Sequence, residues 1–360
     1  MCANESRRLK TPARAQRQRG LSIIEVMVGM VIALLVSLAA SGSAAVFTAS
    51  QRQGIGAGGM TVNSSTALAA LKSDVASAGL GFFGDSTFLC YALDLSVGAT
   101  VKLDAASFSP VRITSDGTND SLDVVYADNV DSGANVLLSG TSDGGSASVQ
   151  SLLPAAAGQA VLLAPATPGA PGATCMVRSV TAVTASTDDT KQLVTFAGSG
   201  DYNGAAFTTT PAFSETNKDR VALLGQLHWS RYSLSDGNLT LTRPLDDTSA
   251  VLVRNVMAFR VQYGITGTAA GATTLAGWQD ATGSTWANVA GADVERIRAL
   301  RIGMVTRSAQ REKPNAAGVC EASTAMPTLF GNTVTPDVGD WQCWRYRSVV
   351  VVVPLRNLVW

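Results

Sequence analysis

Apolar positions follow three different spacings along this chain, and each spacing predicts a different element. Residues 21–40 are apolar almost throughout and carry one charge, Glu25. A helix of about 20 such residues is long enough to cross a bilayer. Farther on, Leu68, Leu71, Val75 and Ala78 recur at i, i+3, i+7 and i+10, the stripe of an amphipathic helix over residues 66–78. Beyond residue 81 the spacing falls to two. Phe259, Val261 and Tyr263 alternate with Arg260 and Gln262, and Leu300, Ile302 and Met304 alternate with Arg301 and Gly303. Both runs predict strands with one buried face. Residues 121–126 form a further short strand. Five consecutive valines, residues 349–353, predict a strand covered on both faces and set in a sheet centre. The fold class that follows is α+β: a long N-terminal hydrophobic helix, then an antiparallel β-sheet-rich globular domain.

Punctuation residues divide these elements. Residues 21–53 contain no proline and read as one helix of about 50 Å. Gly29 and Gly42 offer small-residue positions for close helix approach. Gly54, Gly56, Gly58 and Gly59 predict a flexible joint. Asn63, Ser64 or Ser65 would cap the next helix, and Gly79 and Gly81 would end it. Segments 131–146 and 164–173 are rich in Gly, Ser, Ala and Pro and read as long surface loops. Asp236-Gly237, between β-favouring runs, predicts a hairpin. The organisation is therefore residues 1–20, a leader; 21–53, a membrane-length helix; 54–80, joint and amphipathic helix; and 81–360, a β-rich domain.

Charge adds an orientation. Arg7, Arg8, Lys10, Arg14, Arg17 and Arg19 precede the apolar run, and such a basic flank stays on the cytoplasmic side. The rest of the chain then lies outside that membrane. Residues 1–20 carry six bases and Glu5, a net +5; residues 21–360 carry 21 bases and 26 acids, a net −5. That mildly acidic balance gives no argument for nucleic acid. Glu25 calls for a reason, since a carboxylate in an apolar helix costs about 2.5–3.5 kcal/mol at the bilayer centre. The next cation downstream is Arg52; a new amino terminus, made by a cut after Gly20, would supply a nearer partner. A secretory signal peptide cut near Ser43-Ala44-Ala45 is the first rival, but an h-region is shorter and carries no acid. An ordinary single-span anchor is the second, and it leaves Glu25 unexplained.

Cysteine usage agrees with export. Cys2 lies in the leader; Cys90, Cys175, Cys320 and Cys343 remain, an even number with no C-x-x-C pair. Two disulfides fit better than zinc. Three pairings are possible, and Cys90–Cys175 with Cys320–Cys343 is preferred because the second closes a local loop. Catalytic chemistry is sparse. His228 is the one histidine, so a Ser-His-Asp set has no spare imidazole. The glycines at 54–59 follow a helix rather than a strand and do not make a phosphate loop. Asp116, Thr118, Asp120 and Asp123 loosely resemble a calcium loop but lack its final Glu, and a plain turn is the better reading. Trp278, Trp341 and Trp344 lie near loops, where a buried-core role weighs against a binding surface. No metal, cofactor or catalytic residue is expected.

Gly20-Leu21-Ser22-Ile23-Ile24-Glu25 resembles the class III leader and amino terminus of type IV pilins. The resemblance implies that prepilin peptidase cuts after Gly20 and methylates the new amine of Leu21, a position where the family favours Phe and tolerates Leu. It also implies that Glu25 pairs with the terminal amine of a neighbouring subunit. Residues 71–81, 231–239, 253–264, 286–307 and 346–357 are together similar to PilW-type minor pilins, while residues 130–220 fall outside the resemblance. Membership would imply a single-pass inner-membrane protein with a periplasmic domain, later in the pilus at the cell surface. Its partners would be other minor pilins, the major pilin and a tip adhesin, in a complex that primes assembly. A minor pseudopilin of type II secretion is the alternative, told apart by its neighbouring genes. A membrane-anchored enzyme would need a catalytic cluster that the sequence does not offer.

Overall fold

The structure, a computed structural model, describes residues 22–84, 87–128, 135–185, 191–204, 206–269, 271–315 and 317–358. It divides into a unit up to Ile55 and a second from Gly56 onward. The first unit is helical from Ile23, and Ile23–Ala44 is long and apolar enough to cross a membrane. The expected glycine joint is helical instead: one helix is continuous over Ile23–Ser77. Each glycine costs about 1 kcal/mol relative to Ala inside a helix, yet no proline interrupts the run. Propagating an existing helix is far easier than nucleating a new one. Asn63, Ser64 and Ser65 therefore lie within the helix rather than at a cap, and Ser65 Oγ donates back to Val62 O at 2.9 Å.

The helix ends where the sequence places its glycines. Gly79 has φ 79° and Gly81 has φ 89°, left-handed values that suit glycine. At Gly81 a Cβ would also lie 2.9 Å from Ala127 Cβ and from Leu224 Cδ2. Asn357 Nδ2 donates to the terminal carbonyls of Ala76 and Ala78, at 3.4 and 3.2 Å. The stripe is buried as its spacing requires: Leu71, Val75 and Ala78 are fully covered, Ala67 joins them, and Leu68 packs against the same core.

Among the described residues from Gly56 onward, three larger sheets build the domain. In the six-stranded sheet the order is Thr100–Ser107, Ala92–Val97, Cys175–Ser179, Ala160–Ala164, Arg220–Gly225, Asn135–Leu137. All its pairs are antiparallel except Cys175–Ser179 beside Ala92–Val97. The five-stranded sheet runs Thr248–Arg254, Asn238–Arg243, Leu227–Ser235, Asp120–Ala127, Val111–Ser115. Its Leu227–Ser235/Asn238–Arg243 hairpin turns at Asp236 and Gly237, with φ 49° and 70°, a turn with both central residues left-handed. The four-stranded sheet runs Leu275–Gln279, Val256–Thr266, Ile297–Arg307, Tyr346–Pro354. Phe259, Val261, Tyr263, Leu300, Ile302 and Met304 are buried in the main core together with the helix stripe, as their alternation predicts.

The valine strand departs from expectation. Tyr346–Pro354 lies at the edge of its sheet, not the centre, and pairs with Ile297–Arg307 along nine uninterrupted positions. Val353 is buried, while Val350 and Val352 are 51% and 48% exposed. An unbroken apolar run does not by itself imply two covered faces. Such a pattern does hold in the six-stranded sheet, where Ala160, Leu162 and Ala164 enter the main core and Val161 and Leu163 enter a second one. That second core includes Val149, Val194, Phe196 and Phe213. Within segment 131–146, read as loop, the structure places strands Asn135–Leu137 and Thr141–Ser142. Disulfides join Cys90 to Cys175, both fully buried, and Cys320 to Cys343.

Candidate assembly site

Within the apolar span Ile23–Ala44 the charged chemistry reduces to one acid, Glu25. Gly20 and Leu21 lie outside the described residues. Glu25 sits in the first turn of the helix, where a negative charge is favoured by the unpaired amide groups. Ile23, Ile24, Met27, Met30 and Leu34 around and beyond it are 63–79% exposed. Hydroxyls farther along are satisfied within the helix. Ser37 Oγ donates to Leu34 O at 3.0 Å, Ser43 Oγ to Ala39 O at 2.9 Å, and Ser41 Oγ to Ser37 O. A helix that bonds its own polar groups suits an apolar medium. Among the described residues no cation pairs with Glu25.

Other residues singled out in the sequence take structural partners. Asp116 Oδ1 accepts from Thr118 N at 2.7 Å and Asn119 N at 2.6 Å, and those amides hold its pKa below the usual value. Asp120 Oδ2 accepts from Val261 N at 2.7 Å and pairs with Arg260 at 3.2 Å. Burial pushes the Asp120 pKa up. Asp123 accepts from Trp229 Nε1 and Arg231 Nε, each at 2.8 Å. These carboxylates thus serve separate partners and do not converge. His228 stacks on Tyr126 with ring centroids 4.9 Å apart. Arg301 lies between Trp278 and Phe330, 5.1 and 4.4 Å from their ring centroids, and Arg307 lies over Trp344.

One cluster escaped the sequence. Asp74, on the helix, accepts from Tyr232 Oη at 2.7 Å and from Tyr126 Oη at 3.2 Å. It fixes the helix to neighbouring strands of the five-stranded sheet. Burial, reinforced by the Asp74 charge, pushes the Tyr126 pKa up to about 12 and that of Tyr232 higher still. Their positions, 52 and 158 residues from Asp74, explain why no local pattern reveals them.

Residues 15–41 match the prokaryotic N-terminal methylation motif, and residues 226–357 match the family of type IV pilus-assembly protein W. A prepilin motif and a PilW-like region on one chain mark a minor pilin of type IV pilus assembly. It takes part in type IV pilus assembly, as a structural, membrane-anchored component that works among other pilins. The PilW match covers most of the five-stranded sheet's hairpin side and all of the four-stranded sheet. Residues 135–225, with the second core, precede it. Among solved structures, a type IV-like pilin from Thermus thermophilus is similar at 9% identity and a TM-score of 0.35, covering 83% of this chain and 98% of that one. No curated protein matches the chain.

Proposed function

We propose that this PilW-type chain is a processed subunit of a minor-pilin complex that primes pilus assembly and sits at or near the tip. Prepilin peptidase cuts after Gly20 and methylates Leu21, freeing an amine that Glu25 of an adjacent subunit neutralises. The chain spans the inner membrane once, with its β-rich domain in the periplasm, and later enters the pilus with the major pilin and a tip adhesin. Its mechanism is recognition and not turnover: the apolar helix packs, Glu25 sets charge register, and the domain selects neighbours. The supporting observation is the apolar span Ile23–Ala44, exposed wherever its side chains are described, with a lone acid in its first turn. Exposed apolar surface on this scale needs lipid or other helices to cover it.

Intact-mass measurement of protein from a host with prepilin peptidase tests the reading. The expected mass is that of a chain beginning at Leu21 with one added methyl group. A mature start near Val46, or retention of residues 1–20, overturns it.

A further inference from the structure

The edge strand Tyr346–Pro354 is unlike the edges that folded proteins leave open. Natural sheets blunt an exposed edge with bulges, prolines, inward charges or brevity. Here the ladder to Ile297–Arg307 runs through nine consecutive pairs without a register shift. Its proline, Pro354, and its one charge, Arg347, lie toward the two ends, and the five consecutive residues 349–353 are valines. Val350 and Val352 stand half exposed on the face away from the main core. The opposite edge of the same sheet, Leu275–Gln279, is five residues long and its pairing is broken by a register shift. Among the described residues, no strand covers the outer side of Tyr346–Pro354.

Beside this edge lies an open groove. Its helix wall is Thr61, Ser65, Leu68 and Lys72, and its strand wall runs from Arg347 to Val351. Arg347 is held in place by Nη1 donating to Thr61 Oγ1 at 2.7 Å. Lys72 and Arg347 are the charged residues lining it; no Asp or Glu lines it. The groove is thus apolar along its strand and positive at both walls.

We propose that this edge receives an extended segment of a second, different pilin-type subunit, apolar in alternate positions and carrying a carboxylate. It adds as a fifth strand to the four-stranded sheet. Main-chain hydrogen bonds to an unpaired edge supply affinity, and alternate side chains supply specificity. One face of the added strand covers Val350 and Val352; its acid meets Lys72 or Arg347. The edge borders helix residues 61, 65, 68 and 72 of the same unit, and the two cations on the groove walls call for a partner segment that carries an acid. The proposal rests on the reading of the chain as an assembled pilin subunit, and the test separates the two.

A photoreactive side chain is placed at position 350 or 352 of the full chain, in membranes of a cell that makes its other pilins. A control chain carries the probe at Val251, 48% exposed on the edge strand of another sheet. The expected adducts from 350 and 352 map two residues apart in one extended segment of another subunit bearing a prepilin motif, and the control gives none. Zero-length carbodiimide coupling joins Lys72 to a carboxylate of that segment. The variant K72R, which keeps the charge but lacks the amine, loses the coupling and keeps the photo-adduct. V350K with V352K, both on exposed positions, abolishes association. Adducts to a second copy of this chain, to lipid or to a protein without the motif overturn the proposal, as does the absence of any adduct. Intact mass of the same sample shows whether the chain was processed, so a processed chain without adducts sinks the strand addition and leaves the pilin reading standing.

Discussion

Two leucines on one helix show how differently its two regions are built. Leu34 is 70% exposed and Leu71 is 0% exposed. Nothing in their chemistry differs. Around Leu34 the apolar residues cover the helix surface without a face, the pattern of a helix surrounded by apolar material. Around Leu71 they form a stripe, and the domain's sheets cover it. The first region is unfinished as a single chain, whereas the second completes its own core. A minor pilin needs both: a rod covered by its surroundings, and a domain that completes its own core.

The sharpest way to break that contrast is to shorten each leucine. Leu71→Ala should destabilise the domain by about 2–5 kcal/mol, through lost burial and the cavity left behind. Leu34→Ala should change domain stability by less than about 0.5 kcal/mol. Denaturant titration of the full chain in detergent, followed by tryptophan fluorescence, reads both. Equal effects would mean that the span is part of the domain's cooperative fold.

The contrast was legible in spacing alone, since a stripe and an all-round apolar run are different signals. Strands of the four-stranded sheet were legible for the same reason: Phe259, Val261 and Tyr263 keep a strict period of two. Residues 135–225 were not. Their strands are two to six residues long, and Ala160–Ala164, Cys175–Ser179 and Arg220–Gly225 bury both faces, which erases alternation. Conversely, the valine strand imitates that pattern while lying at an edge. The glycines at 54–59 misled because local propensity is a weak prior against propagation of a long helix. Glu25 was visible as a lone acid, but the Asp74 cluster was not, because its hydrogen bonds span distant strands.

A smaller effect sharpens the role of that cluster. Tyr232→Phe removes one hydrogen bond to a charged group, worth about 1.5–3 kcal/mol, and leaves Tyr126 in place. The pH dependence follows from sign. Folding raises the tyrosine pKa values from about 10, so this stabilisation is complete below pH 10. It is lost as pH rises toward about 12, the folded value of Tyr126, because the unfolded chain then releases protons that the native state keeps. Alkaline unfolding should therefore coincide with tyrosinate absorbance, and Tyr232→Phe should flatten the stability loss between pH 10 and 12. An unchanged slope would remove Tyr232 from the linkage.

The smallest effect on the folded domain belongs to Glu25→Ala, and it bears most directly on function. Glu25 lies in the first turn of the span, far in sequence from the stripe and the core residues that hold the domain, so thermal unfolding of the domain should not move. Membrane insertion should persist or improve, since the substitution removes a charge from an apolar helix. Assembly should respond in the opposite direction. In a low-dielectric bundle of helices a carboxylate beside a terminal ammonium makes a strong charge-assisted contact. Deleting the acid leaves that ammonium buried without a counter-charge, which is more costly than never having formed the pair. Fractionation measures insertion, calorimetry the domain, and cross-linking to co-expressed pilins the assembly. A mutant that inserts, melts and cross-links like the parent would show that Glu25 sets no register between subunits, and the rod would then assemble by apolar packing alone.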